Sequence, residues 1–176
     1  VDGRPTGLLQ VYTGDGKGKT SAAIGLLARF LGHGRRCLLV RFLKPEQPES
    51  GELRFFRDCS GLEILNAGLG VVGRRVDPER MRANVTTVFR QAAERLATGR
   101  FDLAVFDEIN NCLARGYLTE EELLAFLQQR PAHLEVVCTG RNAPPFLLAR
   151  ADLVTSMEKI RHPFDRGIAA RAGIEY

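Results

Sequence analysis

The apolar positions of this chain fall into short blocks separated by glycine, proline and charge. Residues 8–12 (LLQVY) form a run of strand length, apolar almost throughout, as strands buried on both faces are. Residues 21–31 follow with Ala22, Ala23, Leu26, Leu27 and Phe30 on one side of a predicted helix, and Gly34 is its expected stop. Residues 37–43 (CLLVRFL) predict a second strand, interrupted by Arg41 near its carboxyl end. A short helix over 51–58 and a third strand over 62–66 (LEILN) come next. Asp77 and Pro78 then supply a cap and a first-turn proline for a long helix. Its stripe of Met81, Val85, Val88, Phe89, Ala92 and Leu96 marks a core face, and Gly99 ends it. Strands are predicted over 103–106, 134–138 and 151–157. Between them lie a helix opened by the Thr119/Glu122 capping box and stopped near Arg130-Pro131, and a short helix from Pro144-Pro145 to Ala149. Five or six strands alternating with helices predict an α/β, three-layer domain with a mostly parallel sheet, one domain over residues 1–176.

The TGDGKGKT run, residues 13–20, sits between the first strand and the first helix. Strand, glycine-rich turn, Gly-Lys-Thr and helix are the context of a phosphate-binding loop, and they specify the α/β domain as P-loop NTPase-like. Gly14, Gly16 and Gly18 let the backbone curl and aim N–H groups inward, beside the unpaired N–H donors of the helix start. Asp15 and Ser21 complete the expected nucleotide-binding stretch. Lys19 adds a mobile charge for the terminal phosphates, and the Thr20 hydroxyl is a ligand for Mg²⁺. The loop is non-standard: the first glycine of G-x-x-x-x-G-K-[ST] falls at Thr13, and an extra lysine, Lys17, lies inside it.

A second landmark is FDLAVFDEIN, residues 101–110. An apolar strand ending in Asp107-Glu108, downstream of a phosphate loop, resembles the Walker B element whose Asp holds Mg²⁺. Residues 134–138 deliver Thr139-Gly140-Arg141 to the same sheet end, where an arginine can pair with phosphate in a fork. Arg41 and Lys44 stand at a strand end too, either facing a ligand or simply solvated. Residues 67–77 hold three glycines without periodicity and are long for a connection, as binding loops are. His33 reads as a capping residue, and His162 is the histidine beside the expected site.

Composition narrows the setting more than the chemistry. The hydrophobic share is 44% and no apolar run reaches the roughly 18 residues a spanning helix needs, so no membrane association is expected. Residues 1–6 lack a charged-then-apolar leader pattern, and a cytoplasmic protein is expected. The four cysteines include no C-x-x-C pair and read as small core residues. Net charge is +4, with scattered arginines and no aromatic-interleaved basic stripe, so no nucleic-acid binding is expected.

The residues alone define a site for Mg²⁺ and a nucleoside triphosphate, and leave open which bond breaks. Water could attack the γ-phosphorus with Glu108 orienting it; a substrate hydroxyl could attack the same atom; or a nucleophile could attack the ribose C5′ carbon and expel triphosphate. The last needs no base if the nucleophile arrives anionic or metal-centred, and Lys17, Lys19, Mg²⁺ and Arg141 would stabilise the leaving group.

The ordered set of motifs is more specific. YTGDGKGKT (12–20), GHG (32–34) with FLK (42–44), GE (51–52), DEIN (107–110), TGR-NAPP (139–145), ADLVT (151–155), HPF (162–164) and GIEY (173–176) together resemble the P-loop type of ATP:corrinoid adenosyltransferase, nearly end to end. The TG-x-GKGKT loop is that family's own form. The resemblance implies transfer of the 5′-deoxyadenosyl group of ATP to the cobalt of a reduced Co(I) corrinoid, with triphosphate released. It also implies ATP seated in reverse, a homodimer and a flavoprotein reductant. Under it Gly14 to Thr20 cradle the triphosphate, with Lys19, Glu108 and Arg141 as catalytic residues and Thr20, Asp107 and Glu108 on the Mg²⁺ side. Gly70, Val71, Val72 and His162 are the implied corrinoid contacts.

The chain departs from the pattern in places. Gly68-Leu69-Gly70 is followed by Val71, Val72 and Gly73 where many members carry aromatics that pack on the corrin. Arg41 replaces a Gln, Ser156 a Glu and Arg161 a Lys, and the N-terminal helix of longer members is not in this sequence.

Overall fold

The computed structural model describes residues 5–44, 49–67, 69 and 76–176. Strand β1 (Leu9–Thr13) leads through the glycine loop into helix α1 (Lys19–Gly32), followed by β2 (Cys37–Arg41), α2 (Gly51–Phe56) and β3 (Leu62–Asn66). Helix α3 (Pro78–Ala97), β4 (Leu103–Asp107), α4 (Ile109–Ala114) and α5 (Glu120–Gln129) make up the middle. Strand β5 (Glu135–Thr139), α6 (Pro145–Arg150) and β6 (Leu153–Ser156) complete the sheet region, and a 3₁₀ turn spans Pro163–Arg166.

Helix limits follow local chemistry. The Asp77 carboxylate accepts from the Arg80 N–H, ahead of Pro78 in the first turn of α3. At α5 the Thr119 hydroxyl and the Glu122 carboxylate cap each other's backbone N–H groups. His33 caps α1 and Gly34 follows with φ 69°, as the glycine there predicts. Helix α4 has no sequence signature of its own; it is six residues started by the turn at Glu108.

The six strands lie in the order β3-β2-β4-β5-β1-β6, with every ladder parallel. Alternate residues of β2 and β4 feed two different cores. Leu38, Val40, Ala104 and Phe106 join the α3 stripe, Leu123 and Phe126 of α5 and Leu147 of α6. Cys37, Leu39, Leu103 and Val105 pack with Ala23 and Leu27 of α1 and Phe56 of α2. Helices therefore cover both faces, which is why these strands read as unbroken apolar runs. All six positions of the predicted α3 stripe are buried. Cys37, Cys112 and Cys138 are buried, and all four cysteines are free thiols; burial pushes the Cys37 thiol up to about 12.

In a parallel sheet all carboxyl ends share one edge. Here β5 lies between β1 and β4, so the glycine loop and the acidic end of β4 flank the end of β5, which carries Thr139. Arg41 is not a solvated charge: it is 4% exposed, paired in register with Asn66 of β3 and Asp107 of β4.

Candidate active site

The glycine loop is braced by the segment after β6. Gly14 and Gly18 have φ of 91° and 118°, backbone that favours glycine. Gly16 is required for a different reason: a Cβ there would lie 2.6 Å from the Glu158 carbonyl oxygen. The Gly16 N–H donates to the Met157 carbonyl at 2.7 Å, and the Met157 N–H to Thr13 at 2.9 Å. This corrects the sequence expectation in one respect, since the Gly16 N–H serves the brace rather than an anion. The N–H groups of the first turn of α1, at Lys19, Thr20 and Ser21, have no intrahelical acceptor, as the first turn of any helix leaves them.

Lys19 is folded back into the loop. Its ammonium donates to the carbonyls of Gly14 and Gly16 at 2.6 and 2.7 Å, and the residue is 8% exposed. Burial, and then the Arg141 charge, lower its pKa. A phosphate arriving at the loop offers this ammonium a charged acceptor in place of two carbonyls.

Beneath the loop, Asp107 gathers three elements. Its Oδ1 accepts from the Thr20 hydroxyl at 2.9 Å and from the Thr139 hydroxyl at 2.7 Å. Its Oδ2 forms an ion pair with the Lys44 ammonium, which also donates to Thr20 Oγ1 at 3.1 Å. Asp107 is 1% exposed, so these partners replace water.

Glu108 stands at the end of β4 with φ 69°, its N–H donating to Thr139 Oγ1 at 3.0 Å and its carboxylate accepting from Asn111. Leu43 and Asn142 have φ of 56° and 54°; with Glu108 they are the non-glycine residues at positive φ among those described. Each lies just past the carboxyl end of β2, β4 or β5. Such strain costs about 1–3 kcal/mol per residue and concentrates at functional sites.

Burial, and then the neighbouring Asp107 charge, raise the Glu108 pKa. A carboxyl raised in the folded state favours folding below its unfolded value, near 4.3, and that advantage is lost as pH rises through the folded value. Glu108→Gln, which keeps the acceptor for Asn111, is therefore expected to raise the melting temperature of the nucleotide-free protein at pH 8. The gain should shrink to nothing toward pH 4. Thermal unfolding at both pH values checks this, and a variant less stable than the parent at pH 8 would refute it.

A cleft of about 870 Å³ opens over these groups, and its lining includes Gly16, Lys17, Gly18, Lys19, Thr20 and Ser21. Glu108, Arg141 and His162 line the same cleft, so the fold converges residues that the sequence places far apart. Asp107 is buried, reached from the cleft through Thr20 and Lys44; Gly14 contributes a carbonyl to Lys19, and Asp15 precedes the lining residues. The His162 Nδ1 accepts from the Phe164 N–H, capping the 3₁₀ turn. Gly70, Val71 and Val72, the expected corrin contacts, lie outside the described residues.

Two contacts of the cleft have no local signature in the sequence. The Lys17 ammonium is held by the chain's last residues, donating to the Ile174 carbonyl at 2.7 Å and to the Glu175 carboxylate at 2.9 Å. Arg171, and then Lys17, hold the Glu175 carboxyl down at about 2. GIEY was visible as a motif, but nothing local tied it to the loop. Lys44 is the second: its position just after β2 was the signal, and its partner was not.

A family model described as ATP:corrinoid adenosyltransferase BtuR/CobO/CobP matches residues 5–176. A corrinoid adenosyltransferase of Pseudomonas aeruginosa is 39% identical over 170 residues, covering 97% of this chain and 84% of the relative. The corrinoid adenosyltransferase CobA of Salmonella typhimurium is 36% identical over 170 residues, covering 97% and 86%. Among solved structures, the flagellar accessory protein FlaH from Methanocaldococcus jannaschii matches with a TM-score of 0.60 at 16% identity, covering 88% of this chain and 72% of FlaH, a likeness of fold alone. With a family model matched from Pro5 to the last residue and relatives matched over nearly the whole chain, this protein belongs to the ATP:corrinoid adenosyltransferase BtuR/CobO/CobP family.

Proposed function

We propose that this protein transfers the 5′-deoxyadenosyl group of ATP to the cobalt of a reduced corrinoid, in the making or salvage of adenosylcobalamin. The observation that carries the reading is the family match over residues 5–176, on a cleft where Lys17, Lys19 and Arg141 converge. The Co(I) electron pair attacks C5′, the C5′–O bond breaks, and its electron pair leaves with triphosphate; cobalt passes formally from +1 to +3. The nucleophile needs no deprotonation. The chain's work is therefore to hold ATP and to stabilise the negative charge building on the triphosphate.

Lys19 meets that charge from inside the loop, Arg141 from its rim, and the first turn of α1 with its N–H groups; Lys17 joins them on leaving Glu175. The oxygens of Thr20, Asp107 and Glu108 fit Mg²⁺, a hard cation held by one or two carboxylates with substrate phosphates and water. When bound, the ion neutralises phosphate charge. Glu108, Asn111 and His162 line the same cleft; His162, with Gly70, Val71 and Val72, is assigned to the corrinoid. A homodimer working with a flavoprotein reductant fits the family. No helix of the described residues is long and apolar enough to cross a membrane.

The test is anaerobic. Protein, Mg-ATP and chemically reduced cob(I)alamin should give a light-sensitive adenosylated corrinoid and one triphosphate per carbon–cobalt bond. Orthophosphate or ADP without cobalt alkylation would replace this reading with hydrolysis or phosphoryl transfer.

A further inference from the structure

We infer that Lys44 is a tethered cation that occupies the metal's oxygens until metal and nucleotide arrive, and that it then turns to the triphosphate. The inference rests on reading Thr20 and Asp107 as the Mg²⁺ side of the site. The Lys44 ammonium lies between those two residues, paired with Asp107 Oδ2 and 3.1 Å from Thr20 Oγ1. Asp107 is 1% exposed, and a carboxylate so buried requires a counter-charge. Lys19, the cation expected from the loop motif, does not supply it, because its ammonium is committed to the Gly14 and Gly16 carbonyls.

An ammonium and a divalent cation on one carboxylate oxygen repel strongly in a partly dry site. Metal entry on that oxygen therefore favours release of Lys44. The displaced group has somewhere to go: its side chain is 24% exposed and lines the cleft, and its four-carbon stem is flexible. Lys44 follows Leu43, whose φ is 56°. The exchange leaves Asp107 compensated in both states. It moves one positive charge from Asp107 to the cleft, where the leaving group develops its charge. Lys44 is thus a positioning residue for the apo site and a phosphate ligand in the loaded one.

Mn²⁺ serves as the probe, read by electron paramagnetic resonance of the free ion, with ATP affinity measured separately by calorimetry in EDTA. In nucleotide-free protein, Lys44→Met is expected to bind Mn²⁺ about tenfold or more tightly than the parent. In EDTA, the same variant is expected to bind ATP about tenfold more weakly, because the Asp107 carboxylate, no longer compensated by Lys44, then repels the triphosphate. Unchanged Mn²⁺ affinity, or unchanged metal-free ATP affinity, overturns the inference. Asp107→Asn separates the two levels. If it leaves Mn²⁺ affinity in the presence of ATP intact, the assignment of metal ligands fails. If it lowers that affinity while Lys44→Met changes nothing, the metal site stands and Lys44 does not guard it. Should Lys44→Met fold poorly, Lys44→Gln carries the same two expectations.

Discussion

Lys19→Ala lowers kcat/KM for adenosyl transfer by about 10²–10³-fold, the ~3–4 kcal/mol scale of a charge-stabilising group aimed at a developing anion. The expectation follows from where this ammonium sits. It is 8% exposed, at the centre of the loop, so little water competes with it once a phosphate is bound. Its lowered pKa, caused by burial and then by Arg141, records a cation held where positive charge is costly in the absence of a ligand. Triphosphate bound there relieves that cost, which makes the lysine more effective toward the leaving group than an exposed one. Steady-state rates with saturating reduced corrinoid decide the matter. Turnover within a few-fold of the parent would mean that the loop does not hold the triphosphate.

The second large effect falls on stability. Asp107→Asn keeps an acceptor for the Thr20 and Thr139 hydroxyls but turns an amide donor toward the Lys44 ammonium. Removing one partner of a buried pair costs about 3–5 kcal/mol. Lys44 can escape toward the cleft, being 24% exposed, so the loss here is smaller, ~1–3 kcal/mol, or several degrees of melting temperature in a domain of this size. Adding Lys44→Met to Asp107→Asn should restore much of the loss, because the orphaned charge goes with it. Denaturant unfolding of both single variants, the double variant and the parent gives the coupling. A double variant no more stable than Asp107→Asn would show that the pair does not carry the effect.

Much of the fold was legible because its signals are local. The α3 stripe repeats at the helical period, and all six of its residues are buried. Thr119 and Glu122 lie within one turn and cap each other. Strand runs without polar alternation announced a sheet covered on both faces, and two separate cores bear that out. Strand limits moved by a residue or two, as at β5, where Thr139 belongs to the strand and its hydroxyl to Asp107. Helix α4 has no local signature because, unlike α6 with its proline start, it opens without a first-turn proline or a capping side chain. Strand β6 was expected from its apolar residues, yet it is an exposed edge strand.

By itself the sequence determined the α/β class, the glycine loop, the Asp107-Glu108 strand end and, through its ordered motifs, the family. Each of these rests on neighbours along the chain: a period, a cap, a turn, a run of glycines. Only the tertiary structure decided that β5 sits between β1 and β4, bringing Thr139 to Asp107 across 32 residues. It alone brought Lys44 onto the same carboxylate and set the Glu175 carboxylate against Lys17 across 158 residues. The reason is physical. A parallel sheet carries every strand's carboxyl end to one edge, and strand order, which no local pattern encodes, fixes which charges meet there.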